Sequence, residues 1–571
     1  MGDFIVVKLL TILILLSVLR GAGYSEHIAS TETSPSIDYV MELGGGWNLG
    51  NAFDSYDIDE DQGERTWENP IVTRSLMREV KAQGFDSIRI PLSVVYRMDQ
   101  QYNLDVAYLD RFEEVVNWAL EEDLYVLINL HHDSKEWLMR WDGRKSSEEY
   151  QKFSAIWEQL AERFKDYDER LFFESINEPY FEVEVESLQY KYLAKLNQAF
   201  HQIVRNSGGL NAQRMLVLPT ILSQDDQPKL EALLKEIERF KDPNLIASVH
   251  YYGEWEFSNN LGVLSLDEPI HGGTSQRQQM EDFIHRLKAT FVSRGIGVLI
   301  GEYGLLGYDR HPEANNIGET HKYIAYLNEL TRAEPIALML WDNGQHFNRI
   351  TFEWQPLQFG DSVIQSMFVE SAYAVHLDST FVNSIDEGAF IELAFNGASL
   401  EEVLHNGQHL KSGLEYDVNE TGVYIYPQVL QNIAADAMLV DSGSLGTFTL
   451  KFDQGAAWNQ QVYLVEELVF QPSETRVGDD LSIPVNFGGH LIRRGAIYDE
   501  QGQPVTQNEG WPYLTFMEEL VPDYQQEQLV IPGTITEKLH DKAYELRLET
   551  YTGQSYSYWL RIEEGMVEGW P

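Results

Sequence analysis

The sequence predicts a (β/α)8 barrel followed by two β-sandwich modules, and three observations carry that prediction. Short apolar runs alternate with longer amphipathic segments through the first half of the chain. Beyond about Val363 the helical periodicity nearly vanishes, and apolar residues alternate with polar ones instead. Two of the early runs stop at a glutamate: Leu171-Phe172-Phe173-Glu174-Ser175-Ile176-Asn177-Glu178-Pro179 and Ile296-Gly297-Val298-Leu299-Ile300-Gly301-Glu302. A proline cannot continue a central strand, so Glu178 falls at the C-terminal end of a buried strand, and Glu302 repeats the design.

The predicted strands are Glu42 to Leu49, Ser87 to Leu92, Leu124 to Leu130, Leu171 to Ile176, Met215 to Pro219, Leu245 to His250, Val298 to Gly301 and Ala337 to Leu340. Between them, Arg74 to Ala82, Val106 to Glu121, Tyr150 to Phe164, Leu188 to Val204 and Gln276 to Ser293 carry apolar residues three or four apart, the spacing of amphipathic helices. Eight such units over roughly three hundred residues form a barrel whose active site lies at the C-terminal ends of its strands. The barrel is placed at residues 30–360, with Glu178 ending the fourth strand and Glu302 the seventh.

After the barrel, Phe390 to Phe395 is closed by Asn396-Gly397, a hairpin signal, and Val423 to Tyr426 and Phe448 to Phe452 continue the alternation. These strands predict one sandwich at 363–468. Leu481 to Phe487, Leu514 to Leu520, Leu529 to Ile535, Tyr544 to Thr550 and Ser555 to Ile562 predict a second at 470–571.

At the other end, Leu9 to Leu19 is apolar apart from Thr11 and Ser17, with Lys8 before it and Arg20-Gly21-Ala22-Gly23 after it. This reads as a secretory signal peptide, residues 1–23, and predicts a secreted, extracellular protein with no membrane attachment once the signal is removed. The 571 residues contain no cysteine, so core burial rather than disulfides must hold the fold. With 42 basic against 90 acidic residues, the formal charge of -48 repels polyanions. Nucleic acid is therefore excluded as a partner, and a neutral polysaccharide fits.

Paired carboxylates at strand ends are what glycosidic hydrolysis requires, one to protonate the leaving oxygen and one to attack the anomeric carbon. Around them the barrel runs end in groups suited to a sugar site. Arg89 lies between two isoleucines and needs a buried partner, for which Glu302 is proposed. His131 and His132 follow the third strand, Asn177 precedes Glu178, and His250 and Tyr252 follow the sixth strand. Trp341 follows the eighth and offers a ring to a pyranose.

The set Arg89, His131, Asn177-Glu178-Pro179, His250-x-Tyr252, Glu302 and Trp341 resembles that of glycoside hydrolase family 5, over roughly Tyr39 to Leu357. The segment Gly45-Gly46-Trp47-Asn48-Leu49-Gly50-Asn51, with His131-His132, looks most like its endo-β-1,4-glucanase and xyloglucanase branch. The resemblance implies Glu178 as acid/base and Glu302 as nucleophile. Arg89 and Tyr252 would support Glu302, and Asn177 would contact the sugar 2-hydroxyl. His250 would sit near the acid/base, while His131 and Trp341, with His132 and Asn51 as further contacts, would line the subsite. It also implies a cis peptide at Trp341-Asp342. The C-terminal modules resemble an immunoglobulin-like linker and a family 46 carbohydrate-binding module.

The expected function is a secreted, monomeric, retaining endo-β-1,4-glucanase acting on cellulose-like glucans or xyloglucan, without cofactor or metal. A mixed-linkage β-1,3-1,4-glucanase or mannanase would use the same machinery, and a non-catalytic glycan-binding protein is the remaining alternative. His131-His132-Asp133 is not read as a metal site, because adjacent side chains on a strand point to opposite faces. The acidic loop Asp57 to Gly63 is read as solvated. Trp137, Trp141, Trp255 and Trp354 are left between sugar platforms and packing. Glu178 is expected to have a raised pKa, as an acid catalyst needs. In the last module Trp511, in a loop, and Tyr556 and Tyr558, on one strand, are the candidate sugar platforms.

Overall fold

Eight parallel strands close into a barrel in chain order: β1 (Gly45–Asn48), β2 (Ser87–Leu92), β3 (Tyr125–Leu130), β4 (Leu171–Glu174), β5 (Leu216–Pro219), β6 (Leu245–Tyr251), β7 (Val298–Tyr303) and β8 (Ile336–Leu340). The structure is a computed structural model that describes residues 34–59, 61–310, 314–437, 442–506 and 510–571. The apolar segment Leu9 to Leu19 lies outside the described residues. The strands read as continuous apolar runs because helices cover one face and the barrel interior fills the other. Four helix starts carry side-chain caps, with Thr73, Asp105, Ser275 and Asn316 each accepting a hydrogen bond from a backbone N–H three residues on.

β1 begins at Gly45 rather than Glu42, because Pro35–Glu42 is a helix. Its Tyr39 and Val40, with Leu43, pack on Leu127, Phe172, Val217, Ile246 and Leu299, closing the barrel interior from below. β4 ends at Glu174, so Glu178 stands four residues past the strand with φ 37°. Glu302 lies inside β7. Between β6 and β7 the register jumps from Val249↔Ile300 to His250↔Glu302, leaving Gly301 as the extra residue. Such a bulge re-aims the side chain that follows it, and here it sets Glu302 beside His250.

The middle module stacks a five-stranded sheet on a four-stranded one around Ile391, Val403, Val423, Ile425, Phe448 and Trp458. The expected hairpin at Asn396-Gly397 is not one. Both residues take the positive φ that a tight turn needs, 49° and 81°. The strands they join, Ala389–Ala394 and Leu400–His405, lie in different sheets and pair elsewhere. The turn chemistry is thus correct, but it carries the chain across the sandwich. The helix Pro427–Asp436, with proline at its start, also interrupts the expected all-β pattern.

The last module is a second sandwich, of four and five strands. Residues 514–520 form a loop rather than a strand, and Ile492–Asp499 is a strand the periodicity did not reveal. This module is seated on the barrel. Phe516 N donates to Asn260 O, and Val263 N and Arg493 O bond at 2.9 Å. Arg493 and Arg494 pair with Glu268, and Arg310 pairs with Glu518. The middle module joins the barrel through Asp378, which accepts from Asn316 and from the Gly318 N–H.

Candidate active site

Arg89, on β2, is fully buried and organises the barrel mouth. Its Nη1 donates to Glu302 Oε1 at 2.7 Å and to Asn48 at 3.0 Å, its Nε to Glu174 Oε2 at 2.9 Å, and its Nη2 to Asn177 Oδ1 at 2.7 Å. The two carboxylates hold the guanidinium charged against the desolvation that burial imposes. Because the Asn177 oxygen is taken by Arg89, its NH2 is left to donate. Tyr252 donates to the second oxygen of Glu302 at 2.7 Å.

Glu178 faces Glu302 across the mouth. His250 Nδ1 lies 3.1 Å from Glu178 Oε1 and 3.5 Å from Glu302 Oε2. One oxygen of each carboxylate and a ring nitrogen of His250 all lie within 4.8 Å of one another. Lys135, from the short helix after β3, places Nζ 2.5 Å from Glu178 Oε2.

The electrostatics overturn the expected tuning of Glu178. Burial works to raise its pKa, but the hydrogen bond and charge of His250 and the Lys135 ammonium outweigh it and hold the carboxyl down to about 2. His250 moves the other way. Burial acts to lower it, yet the charges of Glu302 and Glu178 raise it above the usual histidine value. His131, desolvated and facing His132 and Arg89, is pushed well below that value and stays neutral.

His131 stacks on Trp341 with ring centroids 5.6 Å apart and planes 3° from parallel. Among the described residues the cis peptide is Gln355–Pro356, so Trp341–Asp342 is trans, against the expectation. His132 does not point away from His131. β3 ends at Leu130, so strand alternation no longer applies, and the two rings lie 4.5 Å apart. His131, His132 and Asp54 could therefore gather round a cation. The Asp54 carboxylate, however, already accepts from the N–H groups of Asn51 and Ala52. Asn51 is held in this turn by its backbone, and among the described residues its side chain makes no hydrogen bond to the carboxylate pair. In the acidic loop, Asp61 is paired with Arg97 at 2.6 Å rather than simply solvated.

Trp137, Trp141 and Trp354 are packed inside, whereas Trp255 is 56% exposed. The platform expected at Trp511 is overturned. Trp511 is 8% exposed and belongs to the barrel's apolar cluster, with Nε1 donating to Leu261 O at 2.8 Å. An indole beside a proline turns inward when an apolar seam can take its ring and a carbonyl its N–H. Tyr558 is likewise a core residue, bonded to Gln471 O, and Tyr556 packs on Phe470.

Sequence reasoning missed Glu174, although the signal that picked out Arg89, a charge inside an apolar strand, is present there too. It also missed Lys135, and Tyr56 and Trp67, whose rings pack with His132. A pocket of about 370 Å³ opens beside Glu178, lined by Leu222, Gln224, Asp225 and Glu254. The larger hollow of about 680 Å³, around Tyr150 and Gln202 on the flank of the barrel, contains none of these groups.

Comparison with known proteins agrees with this geometry. Residues 51–347 match the family described as Cellulase (glycosyl hydrolase family 5), and residues 378–462 match Carbohydrate binding domain X2. The second match falls on the middle module, which sequence reading treats as a linker. Endoglucanase B of Paenibacillus lautus is 32% identical over 573 residues, covering 98% of each chain. The full-length tri-modular endo-β-1,4-glucanase B of Bacillus halodurans is 34% identical, with a TM-score of 0.86, covering 94% of this chain and 98% of that one. A tri-modular endo-β-1,4-glucanase of Bacillus licheniformis, complexed with cellotetraose, is 25% identical with a TM-score of 0.75, covering 93% of this chain and 100% of that one.

Proposed function

The chain belongs to glycosyl hydrolase family 5 and is an endoglucanase of cellulose-like glucans; from that premise we propose that it cuts by double displacement, with Glu302 as nucleophile and Glu178 as acid/base. The observation that supports this reading is the spacing of the two carboxylates, whose nearest oxygens lie within 4.8 Å. Retaining enzymes hold their carboxyl groups about 5–5.5 Å apart, whereas inverting ones leave about 6.5–9.5 Å for a water.

The residues divide the work. Arg89 and Tyr252 each hold one oxygen of Glu302, so the carboxylate is fixed for attack on the anomeric carbon. The Asn177 NH2, oriented by Arg89, donates to the sugar 2-hydroxyl. Glu178 gives its proton to the leaving oxygen, then takes one from the water that hydrolyses the glycosyl-enzyme. In the free protein His250 first, and Lys135 beside it, hold Glu178 as a carboxylate, so arrival of the leaving-group sugar has to weaken both contacts before the acid form is populated.

The pocket beside Glu178 receives that sugar. The backbone is an unbranched or xylose-decorated β-1,4-glucan, and the protein acts as a secreted monomer. The cellotetraose bound by the Bacillus licheniformis relative supports the unbranched backbone. Mixed-linkage glucan and mannan use the same machinery and are separated by assay. Reducing-sugar release from carboxymethylcellulose, xyloglucan, mixed-linkage glucan and mannan ranks the backbones. For the roles, Glu302→Gly with azide is expected to yield an α-glycosyl azide and Glu178→Ala a β-glycosyl azide. The reverse products would exchange the assignments.

A further inference from the structure

The barrel closes where its first strand meets its last, and the regular pairing of β1 with β8 stops at Trp47↔Leu340. The residue after that pair is Trp341, whose ring lies parallel to His131. Past the last ladder pair, Gly50 N–H still donates to Asp342 O at 3.0 Å. Side chains hold the seam from there outward. Arg349, in the loop after β8, donates from Nη2 to Gly50 O at 2.5 Å and to Asp342 O at 3.1 Å. Asn69 repeats the pattern one residue farther along both chains, with Nδ2 donating to Asn51 O at 3.0 Å and to Asn343 O at 2.9 Å. Each time a single nitrogen bridges one carbonyl from either side of the seam.

Trp341 lies against this clamp. A Cβ placed on Gly50 would sit 2.8 Å from Trp341 Cζ2 and 2.9 Å from Cη2, so the indole is packed directly on the Gly50 backbone. In an interior this dense a displacement of Gly50 is passed on to the ring.

Burying Arg349 is unfavourable in itself. Its residue is 5% exposed, and among the described residues it has no carboxylate at ion-pair distance, while Nε and Nη1 have no hydrogen-bond partner. Burial pulls the guanidinium below the ordinary arginine value, and the charges of Asp342 and Asp54 act the other way. A methionine would fill similar space without desolvating a charge, but it could not donate to two carbonyls at once.

We propose that Arg349 is a positioning residue for the reaction: by clamping Gly50 to Asp342 it fixes the Trp341 ring parallel to His131, and so fixes the sugar that is cleaved. The role rests on Trp341 lining the sugar subsite in the function proposed above. Arg349 itself is spent on the two carbonyls and acts only through the ring. Its loss should therefore reach the orientation of the sugar toward Glu302, and with it turnover, more than the affinity for the chain.

The test measures kcat and KM on cellotetraose with the full chain, well below the melting temperature of each variant. Arg349→Met is expected to lower kcat about tenfold and to change KM less than about threefold. Arg349→Lys, which keeps a cationic donor, should return turnover to within about threefold of the unsubstituted chain. Trp341→Ala/Arg349→Met should turn over within about twofold of Trp341→Ala alone, because the clamp then has no ring to place. A merely structural arginine would lower the melting temperature and leave kcat unchanged, which overturns the proposal. So does a double variant in which the two losses multiply. If Arg349→Met does not fold, Asn69→Ala in the same cycle decides, with a loss of about threefold expected alone and none on top of Trp341→Ala. Full turnover by Trp341→Ala would refute the subsite reading, and the role of Arg349 would fall with it; a slow Trp341→Ala with unaffected Arg349 and Asn69 variants would refute the clamp alone.

Discussion

Lys135 Nζ and Glu178 Oε2 are 2.5 Å apart, an ion pair on the carboxylate that must carry a proton when the glycosidic bond breaks. The pair stabilises the ionised form and so opposes the first chemical step, whereas it favours the second, in which Glu178 acts as a base. Removing the ammonium should raise the pKa of Glu178. The alkaline limb of the kcat/KM profile, where the acid is lost, then moves to higher pH. The Lys135 side chain is 51% exposed, and solvent-screened pairs contribute roughly 0.2–1 kcal/mol, so Lys135→Gln should move that limb by a few tenths of a pH unit. An unmoved limb would show that the pair does not tune the acid.

Arg89→Ala should lower turnover more than it weakens substrate binding, because it frees the nucleophile to reorient. It should also destabilise the barrel by about 3–5 kcal/mol, since Glu174 is left buried without its cation. Adding Glu174→Gln should recover part of the melting temperature and none of the turnover. Joint recovery would mean that Arg89 acts only as scaffold.

Glu236 is buried, and burial raises its carboxyl to about 7, with only an Asn197 hydrogen bond and Arg239 acting against it. Its folded pKa exceeds the unfolded value, so the neutral form stabilises the fold at low pH. That contribution is lost as pH rises from about 4.5 through about 7. Glu236→Gln should therefore raise the melting temperature by several degrees at about pH 8 and change it little at about pH 4. A gain that does not depend on pH would contradict burial of the charge as the cause.

Trp511→Ala should destabilise the seam between the last module and the barrel, by about 3 kcal/mol as for a large buried aromatic. Calorimetry should show the module's transition separating from that of the barrel. A single unshifted transition would leave the polar contacts of Arg493, Arg494 and Phe516 sufficient to hold the module.

The barrel was legible because its information is local. β2 and the eighth strand fall within a residue of their expected bounds, since a buried parallel strand is a continuous apolar run wherever it occurs. Glu178, Glu302 and Arg89 were legible for a related reason, as charges placed where an apolar run makes charge costly. His131 and His132 were placed correctly at the rim, but their relative direction was not, because alternation holds only as long as the strand does.

Periodicity and chain punctuation are enough to specify the eight-unit barrel, the two sandwiches after it, and a carboxylate pair at the mouth. Tertiary structure alone decided that Arg89 serves Glu174 as well as Glu302, that Lys135 meets Glu178, and that Asn396-Gly397 bridges two sheets. It also decided that Trp511 closes a seam. Periodicity tells which side of an element is apolar, but not which distant surface will cover it. That depends on contacts between residues tens to hundreds of positions apart, such as Trp511 with Leu261, which no local pattern encodes.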